Sequence, residues 1–186
     1  NTLSKKIPPH REYYSKVFTK LHMLTLTDYS KVLFLDLSYI PLSTKIENIF
    51  TYKTPAMAYV PQYLTTKKGT QFKRLRTRKL IPKYLSGKLN ASMMLFTPNI
   101  EEFCRLISSL KKYRSPKLRY PEQEFLGQYY AGQVHLINPK FYCNKYYPKC
   151  TKSCWGIKYL EKVKPWDKKK EDYTECDKIW NNIYKK

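Results

Sequence analysis

The stretch whose reading decides the fold is KVLFLDLSYIPL, residues 31–42. Its apolar core, Val32-Leu33-Phe34-Leu35, shows no polar alternation, the pattern of a strand buried on both faces in the middle of a mostly parallel sheet. The run delivers one carboxylate, Asp36, at the strand's carboxyl end, where α/β sheets gather their ligands. A cation-binding loop would carry a second acid two residues on, and Ser38 stands there instead.

Working outward, YYSKVFTKLHMLTL (13–26) spaces Val17, Phe18, Leu21 and Leu24 at helical intervals and predicts an amphipathic helix, closed by the turn TDYS. Downstream, NASMMLF (90–96) reads as a second buried strand, stopped by Pro98. Asn99 is placed to cap the helix IEEFCRLISSLKKY, with Glu101 and Glu102 at its positive end and Lys111 and Lys112 at its negative end. PEQEFLGQYY (121–130) predicts another helix and VHLINPKFYCN (134–144) a strand with its exit. Residues 167–186 predict a C-terminal helix with an apolar seam of Tyr173, Cys176, Ile179 or Trp180, and Ile183. Helices and buried strands alternate without an internal repeat, which is the α/β pattern in a single domain, 1–186.

With 186 residues and 42% hydrophobic content the chain can bury a real core. Lys+Arg 36 against Asp+Glu 14 gives a formal net charge of +22, which points to a polyanionic partner or an anionic membrane surface. An AT-biased genome, rich in Lys, Tyr and Asn codons, accounts for part of that excess. The excess is densest in residues 61–89, a basic insertion or loop. There Lys67, Lys68, Lys73, Arg74, Arg76, Arg78 and Lys79, with Phe72 and Tyr84 interleaved, suit RNA: cations for phosphates and rings for bases. A solvated basic loop is the plainer alternative.

No run approaches the roughly 20 apolar residues of a membrane span, and no signal segment opens the chain, so a soluble protein is expected. The five cysteines, Cys104, Cys143, Cys150, Cys154 and Cys176, are odd in number and irregularly spaced. They make a poor disulfide framework and predict a reducing, intracellular compartment. Cys143, Cys150 and Cys154 lack the tight spacing of a zinc knuckle, and no metal is expected there.

Four segments, in order, resemble the glycogenin-type glycosyltransferases of family 8, which also include galactinol synthases and bacterial lipopolysaccharide glucosyl- and galactosyltransferases. TKLHMLTLTDYSKVLFLDLSYIPLSTKIENIF is similar to that family's helix, strand, Asp-X-Asp loop and following helix. GKLNASMMLFTPNIEEF resembles its strand with an Asn near the sugar site, PEQEFLGQYY the helix start that faces the transferred sugar, and KYLEKVKPW the His-X-X-Gly-X-X-Lys-Pro-Trp element that closes over the diphosphate. The resemblance implies a partial GT-A fold, the nucleotide-diphospho-sugar transferase type, with a mostly parallel sheet flanked by helices. It also implies that the family's first βα units, which hold base and ribose, have no counterpart after Asn1. Unless an upstream segment or another chain supplies that half, the pocket would be incomplete, and a bare sheet edge would call for a partner to cover it.

In that family a divalent cation, usually manganese, bridges two acids and a histidine to the donor's diphosphate. Carried over singly, Asp36 matches the first acid, Ser38 replaces the second and Lys158 replaces the histidine. Glu161 replaces a glycine beside the diphosphate. An ammonium has no lone pair to give a metal, so the resemblance implies a lost manganese site and no cofactor. The Glu161 carboxylate would repel the phosphates at short range, or it would pair with Lys158 three residues earlier and fill the vacated pocket with an internal salt bridge. In an active enzyme Lys20, Asp36, Ser38, Asn90, Lys158 and Lys164 would hold the nucleotide sugar, Asp36, Glu122 and Gln123 would form the catalytic group, and Asn144 is a further match.

The function expected first is therefore a catalytically inactive, glycosyltransferase-like structural or binding subunit of a large assembly, for example a ribonucleoprotein such as an organellar, mitochondrial ribosome. The alternatives are a metal-independent retaining glycosyltransferase using a nucleotide-sugar donor, and a structural accessory subunit of an organellar membrane complex.

Overall fold

The computed structural model describes residues 9–59, 89–113, 120–144, 154–160 and 162–184. The first element, Pro9–Thr25, is helical as expected but is wound as a 3-10 helix. With three residues per turn, Phe18, Leu21 and Leu24 fall on one face. Leu21 and Leu24 are buried there, and the Phe18 ring meets Phe125 edge-on at 6.0 Å.

The run VLFL forms strand β1, Val32–Leu35, followed by β2, Tyr39–Pro41, and β3, Ala56–Tyr59. After the basic segment come β4, Leu89–Phe96, helix α1, Ile100–Lys112, helix α2, Pro121–Tyr129, strand β5, His135–Leu136, strand β6, Gly156–Lys158, and helix α3, Glu175–Tyr184. Four strands form one sheet in the order β1-β4-β3-β5. β4 runs antiparallel to both of its neighbours, and β3 and β5 are parallel. The fold is α/β with a mixed sheet flanked by helices, not the mostly parallel sheet expected.

β1 also differs from expectation, because it is the terminal strand of that sheet and its four residues are half-buried. Val32 and Phe34 pack on the core that holds Leu21, Met94 and Leu106, while Leu33 and Leu35 pack on the one that holds Ile49, Met93 and Leu95. Both faces are covered, and among the described residues no strand pairs with the outer edge; an unbroken apolar run is the same for a central and a terminal strand.

Between β3 and β4 the register skips. Met57 stands opposite Met94 and the next residue, Ala58, opposite Asn90, so residues 91–93 have no partner on β3. A bulge of this kind re-aims side chains and frees backbone groups. Asn99 caps α1 as expected, its Oδ1 accepting from the Glu102 N–H at 2.8 Å.

The second, two-stranded sheet pairs β2 with β6 antiparallel. A β-carbon added at Gly156 would collide with the Tyr39 ring that covers it, so the glycine is required by close approach. Below this sheet lies a third cluster of Ile40, Cys143, Cys154, Ile157, Tyr159 and Cys176, against which α3 docks through Ile179 and Trp180.

The cysteines overturn the spacing argument. Cys143 and Cys154 form a disulfide with their Cα atoms 6.0 Å apart, Cys176 is disulfide-bonded too, and Cys104 is free and exposed. Pairing follows spatial approach, here set by the bridge of Cys143 to Ile157, and not sequence spacing.

The C-terminal region is less helical than expected. Pro165–Asp167 and Lys170–Asp172 are 3-10 turns, and α3 starts at Glu175 because Thr174 and Asp177 form a capping box. Asp177 Oδ2 accepts from the Thr174 N–H at 2.8 Å, and Thr174 Oγ1 accepts from the Asp177 N–H at 3.3 Å. No helix among the described residues is long and apolar enough to cross a membrane.

Candidate functional site

The polar residues singled out from sequence come from five separate elements. The β1 exit presents Asp36, the Pro9–Thr25 helix Lys20, the β4 bulge Asn90, the start of α2 Glu122 and Gln123, and β6 Lys158. The structure brings them into one cluster.

At its centre the Lys158 ammonium donates to Asp36 Oδ2 at 2.7 Å. Lys20 Nζ lies 3.9 Å from Asp36 Oδ1 and 3.5 Å from Glu122 Oε1, and it donates to the Ala91 carbonyl at 3.2 Å. Gln123 Oε1 accepts from the Ala91 N–H at 3.1 Å. Asn90 Oδ1 accepts from the N–H and the hydroxyl of Ser92, and the Ser92 carbonyl accepts from the Asp36 N–H at 3.0 Å. The backbone freed by the β4 skip is therefore met by the same side chains that form the site.

Ser38 contributes through its backbone, its carbonyl accepting from the Tyr159 N–H at 2.9 Å. Lys164 donates to the Tyr159 carbonyl at 2.7 Å, and Asn144 is buried beside Cys143. Glu161, a candidate partner for Lys158, lies outside the described residues, as do the seven basic residues from Lys67 to Lys79. Ser92 and Tyr142, whose hydroxyls meet at 2.9 Å under Asp36, carried no signal in the sequence, since neither belongs to a chemical motif.

Burial sets the electrostatics. It pulls the Lys158 ammonium below the ordinary lysine value, and Asp36 opposes this only in part. It pushes the Glu122 carboxyl above the ordinary glutamate value against the pull of Lys20, and among the described residues the buried Glu122 Oε2 has no hydrogen-bond partner. Burial likewise lowers Lys164, again opposed by Asp36.

The donors among the described residues do not fit a manganese ion. Hard divalent cations need several oxygen or nitrogen lone pairs. Here Asp36 Oδ2 is already taken by an ammonium that itself repels a dication, and a serine stands where a second carboxylate would serve.

No family model matches the chain. Among curated proteins it is 28% identical over 200 residues to "Uncharacterized protein R707" of Acanthamoeba polyphaga mimivirus, covering 93% of this chain and 67% of that protein. Among solved structures it is similar to the galactosyltransferase LgtC in complex with donor and acceptor sugar analogues, with a TM-score of 0.65 and 12% identity over 98% of this chain and 70% of that one. The glycosyltransferase GlyE of Streptococcus pneumoniae gives a TM-score of 0.60 at 13% identity, over 89% of this chain and 42% of that one. The bifunctional glycosyltransferase WbbM gives 0.59 at 16% identity, over 90% of this chain and 35% of that one.

The fold is that of the GT-A-type glycosyltransferases. At these identities the likeness is one of architecture, and activity has to be argued from the site itself.

Proposed function

We propose that this chain is a glycogenin-type, family 8 member that has given up manganese-dependent sugar transfer and serves as a structural or binding subunit of a larger assembly. One observation carries the reading: the Lys158 ammonium sits 2.7 Å from Asp36 where the cation would have to bind. The net charge of +22 supports an RNA or another polyanion as part of that assembly. The terminal position of β1 in its sheet supports a partner along that edge. The disulfide weighs for an oxidising compartment over the reducing, intracellular one that the cysteine spacing favours.

A second reading, a metal-independent transferase, draws on the convergence of Lys20, Asn90, Glu122 and Gln123 with Asp36. The two separate in a thermal-shift experiment on the full-length protein. A ligand at 100 times its Kd adds about 2.7 kcal/mol, several degrees at this size. The subunit reading expects no shift with manganese and nucleotide sugars together, and a rise of several degrees would overturn it. For the polyanion partner, RNA affinity should fall steeply as salt rises. A flat salt response would remove RNA from the proposal.

A further inference from the structure

We infer that the disulfides around β6 act as a redox clamp: oxidation pins the strand and so sets the Lys158 ammonium on Asp36, and reduction releases both. Such a clamp governs when the charged cluster is assembled, and it serves either reading of what the cluster does.

Adjacent residues of a strand point to opposite faces. On β6, Ile157 enters the cluster with Cys143, Cys154 and Cys176, while Lys158 meets Asp36. One short strand therefore joins the cysteines to the charged groups.

Both ends of β6 are held at disulfide-bonded cysteines. Cys143, cross-linked to Cys154 ahead of the strand, brackets Ile157: its N–H donates to the Gly156 carbonyl at 3.0 Å, and its carbonyl accepts from the Lys158 N–H at 2.8 Å. Past the strand, the Tyr159 hydroxyl donates at 2.6 Å to the carbonyl of Cys176, itself disulfide-bonded.

Little else fastens the strand. Of the six buried residues in this cluster three are cysteines, which leaves Ile40, Ile157 and Tyr159, backed by the partly buried Leu42, Ile179 and Trp180. A two-stranded sheet on so small a core is marginal without staples. The ammonium itself opposes the arrangement, because burial disfavours its charge and Asp36 offsets this only in part. The cross-links supply the hold.

Cys143 and Cys154 close by exchange with a small disulfide such as glutathione disulfide. One protein thiolate attacks it and releases a glutathione thiol; the second displaces the other glutathione, so two thiols are consumed and two are formed. The two sulfur-bearing residues are 2% and 5% exposed, so the reverse reaction needs the strand to lift, which couples reduction to release of Lys158.

The test is lysine footprinting of the full-length protein with an acetylating N-hydroxysuccinimide ester, read by mass spectrometry. It compares the parent oxidised by glutathione disulfide, the parent reduced by dithiothreitol, and the variant Cys143→Ser/Cys154→Ser. The Lys158 and Lys20 side chains start nearly equally buried, 7% and 11% exposed, one on β6 and the other on the Pro9–Thr25 helix. Reduction and the double substitution should each raise acetylation of Lys158 at least about tenfold and leave Lys20 within about threefold, and reoxidation should restore the parent. Hydrogen exchange at the β4 amides, paired on both sides, reports in the same samples that the main sheet is still folded.

Equal acetylation of Lys158 with and without the cross-links would overturn the inference. So would a rise of Lys20 in step with Lys158, which would mean general unfolding, or disulfides that stay closed in dithiothreitol until the β4 amides exchange. None of these outcomes bears on the loss of manganese, which the melting temperature decides separately.

Discussion

Two carboxylates in this molecule each take a lysine ammonium at 2.7 Å, and their surroundings differ. Asp177 is fully buried, and its Oδ2 accepts from Lys168 and from both the N–H and the hydroxyl of Thr174. Burial pushes its carboxyl up, but those hydrogen bonds outweigh it and hold the group below the usual aspartate value. In the other pair the carboxylate, Asp36, is a third exposed, and it is the lysine that is buried and pulled below its ordinary value. Asp177 sits in a buried network that fastens a helix, and among the described residues its Oδ1 is left without a hydrogen-bond partner. The pair at Asp36 is open to solvent and crowded by further charges, Lys20 and Glu122, and no helix cap depends on it.

The contrast can be broken most sharply at Asp177. Asp177→Ala removes the acceptor shared by Lys168 and Thr174 and with it the cap of the last helix, so it should cost about 2 kcal/mol in urea denaturation. Because the folded Asp177 value is depressed, its contribution is present above the unfolded aspartate value of about 3.9 and is lost as pH falls through the lower folded one. The variant should lack that acid limb, and an unchanged limb would show that the cap is not the source.

Lys158→Met should behave in the opposite way. It replaces an ammonium whose burial is unfavourable, and Asp36 keeps Lys20 at 3.9 Å and solvent access, so stability should change by less than about 1 kcal/mol. In the parent the unfolded chain binds more protons between the lowered Lys158 value and the ordinary lysine value near 10.4, so the Lys158 contribution to stability rises with pH in that window. The difference between parent and variant should therefore narrow toward alkaline pH. A loss as large as that of Asp177→Ala would mean that both pairs are structural.

The smallest effect is expected at Glu122. Its carboxyl is raised by burial, so ionisation above the unfolded value of about 4.3 weakens the fold. Glu122→Gln should gain roughly half a kcal/mol near neutral pH and nothing at pH below about 4, read as a melting-temperature difference between the two conditions.

How much of this was legible beforehand depended on the range of the interaction. Asn99 with Glu101 and Glu102 announced α1 because a cap acts within one turn. VLFL announced a strand, but not its place at the sheet edge or its antiparallel neighbour, because the partner is chosen some sixty residues away. The same limit held in the site. Lys20, Asp36, Asn90, Glu122, Gln123 and Lys158 were all named from motifs and do converge. Asp36, 122 residues away in sequence, holds Lys158, a pairing that no local spacing announces. The disulfide of Cys143 and Cys154 escaped for the same reason, since a separation of 11 says nothing about which side chains meet in space.

The skip in β4 makes two of the clustered side chains serve the sheet as well as the cluster. Lys20 and Gln123 are tied to the carbonyl and amide of Ala91, so replacing either one disturbs the middle of the sheet whatever the cluster does. Their presence therefore follows from the backbone they satisfy and by itself is poor testimony to activity. The Lys158 ammonium is tied instead to Asp36, a side chain of the cluster itself, and it is there that a substitution speaks to chemistry before it speaks to the sheet.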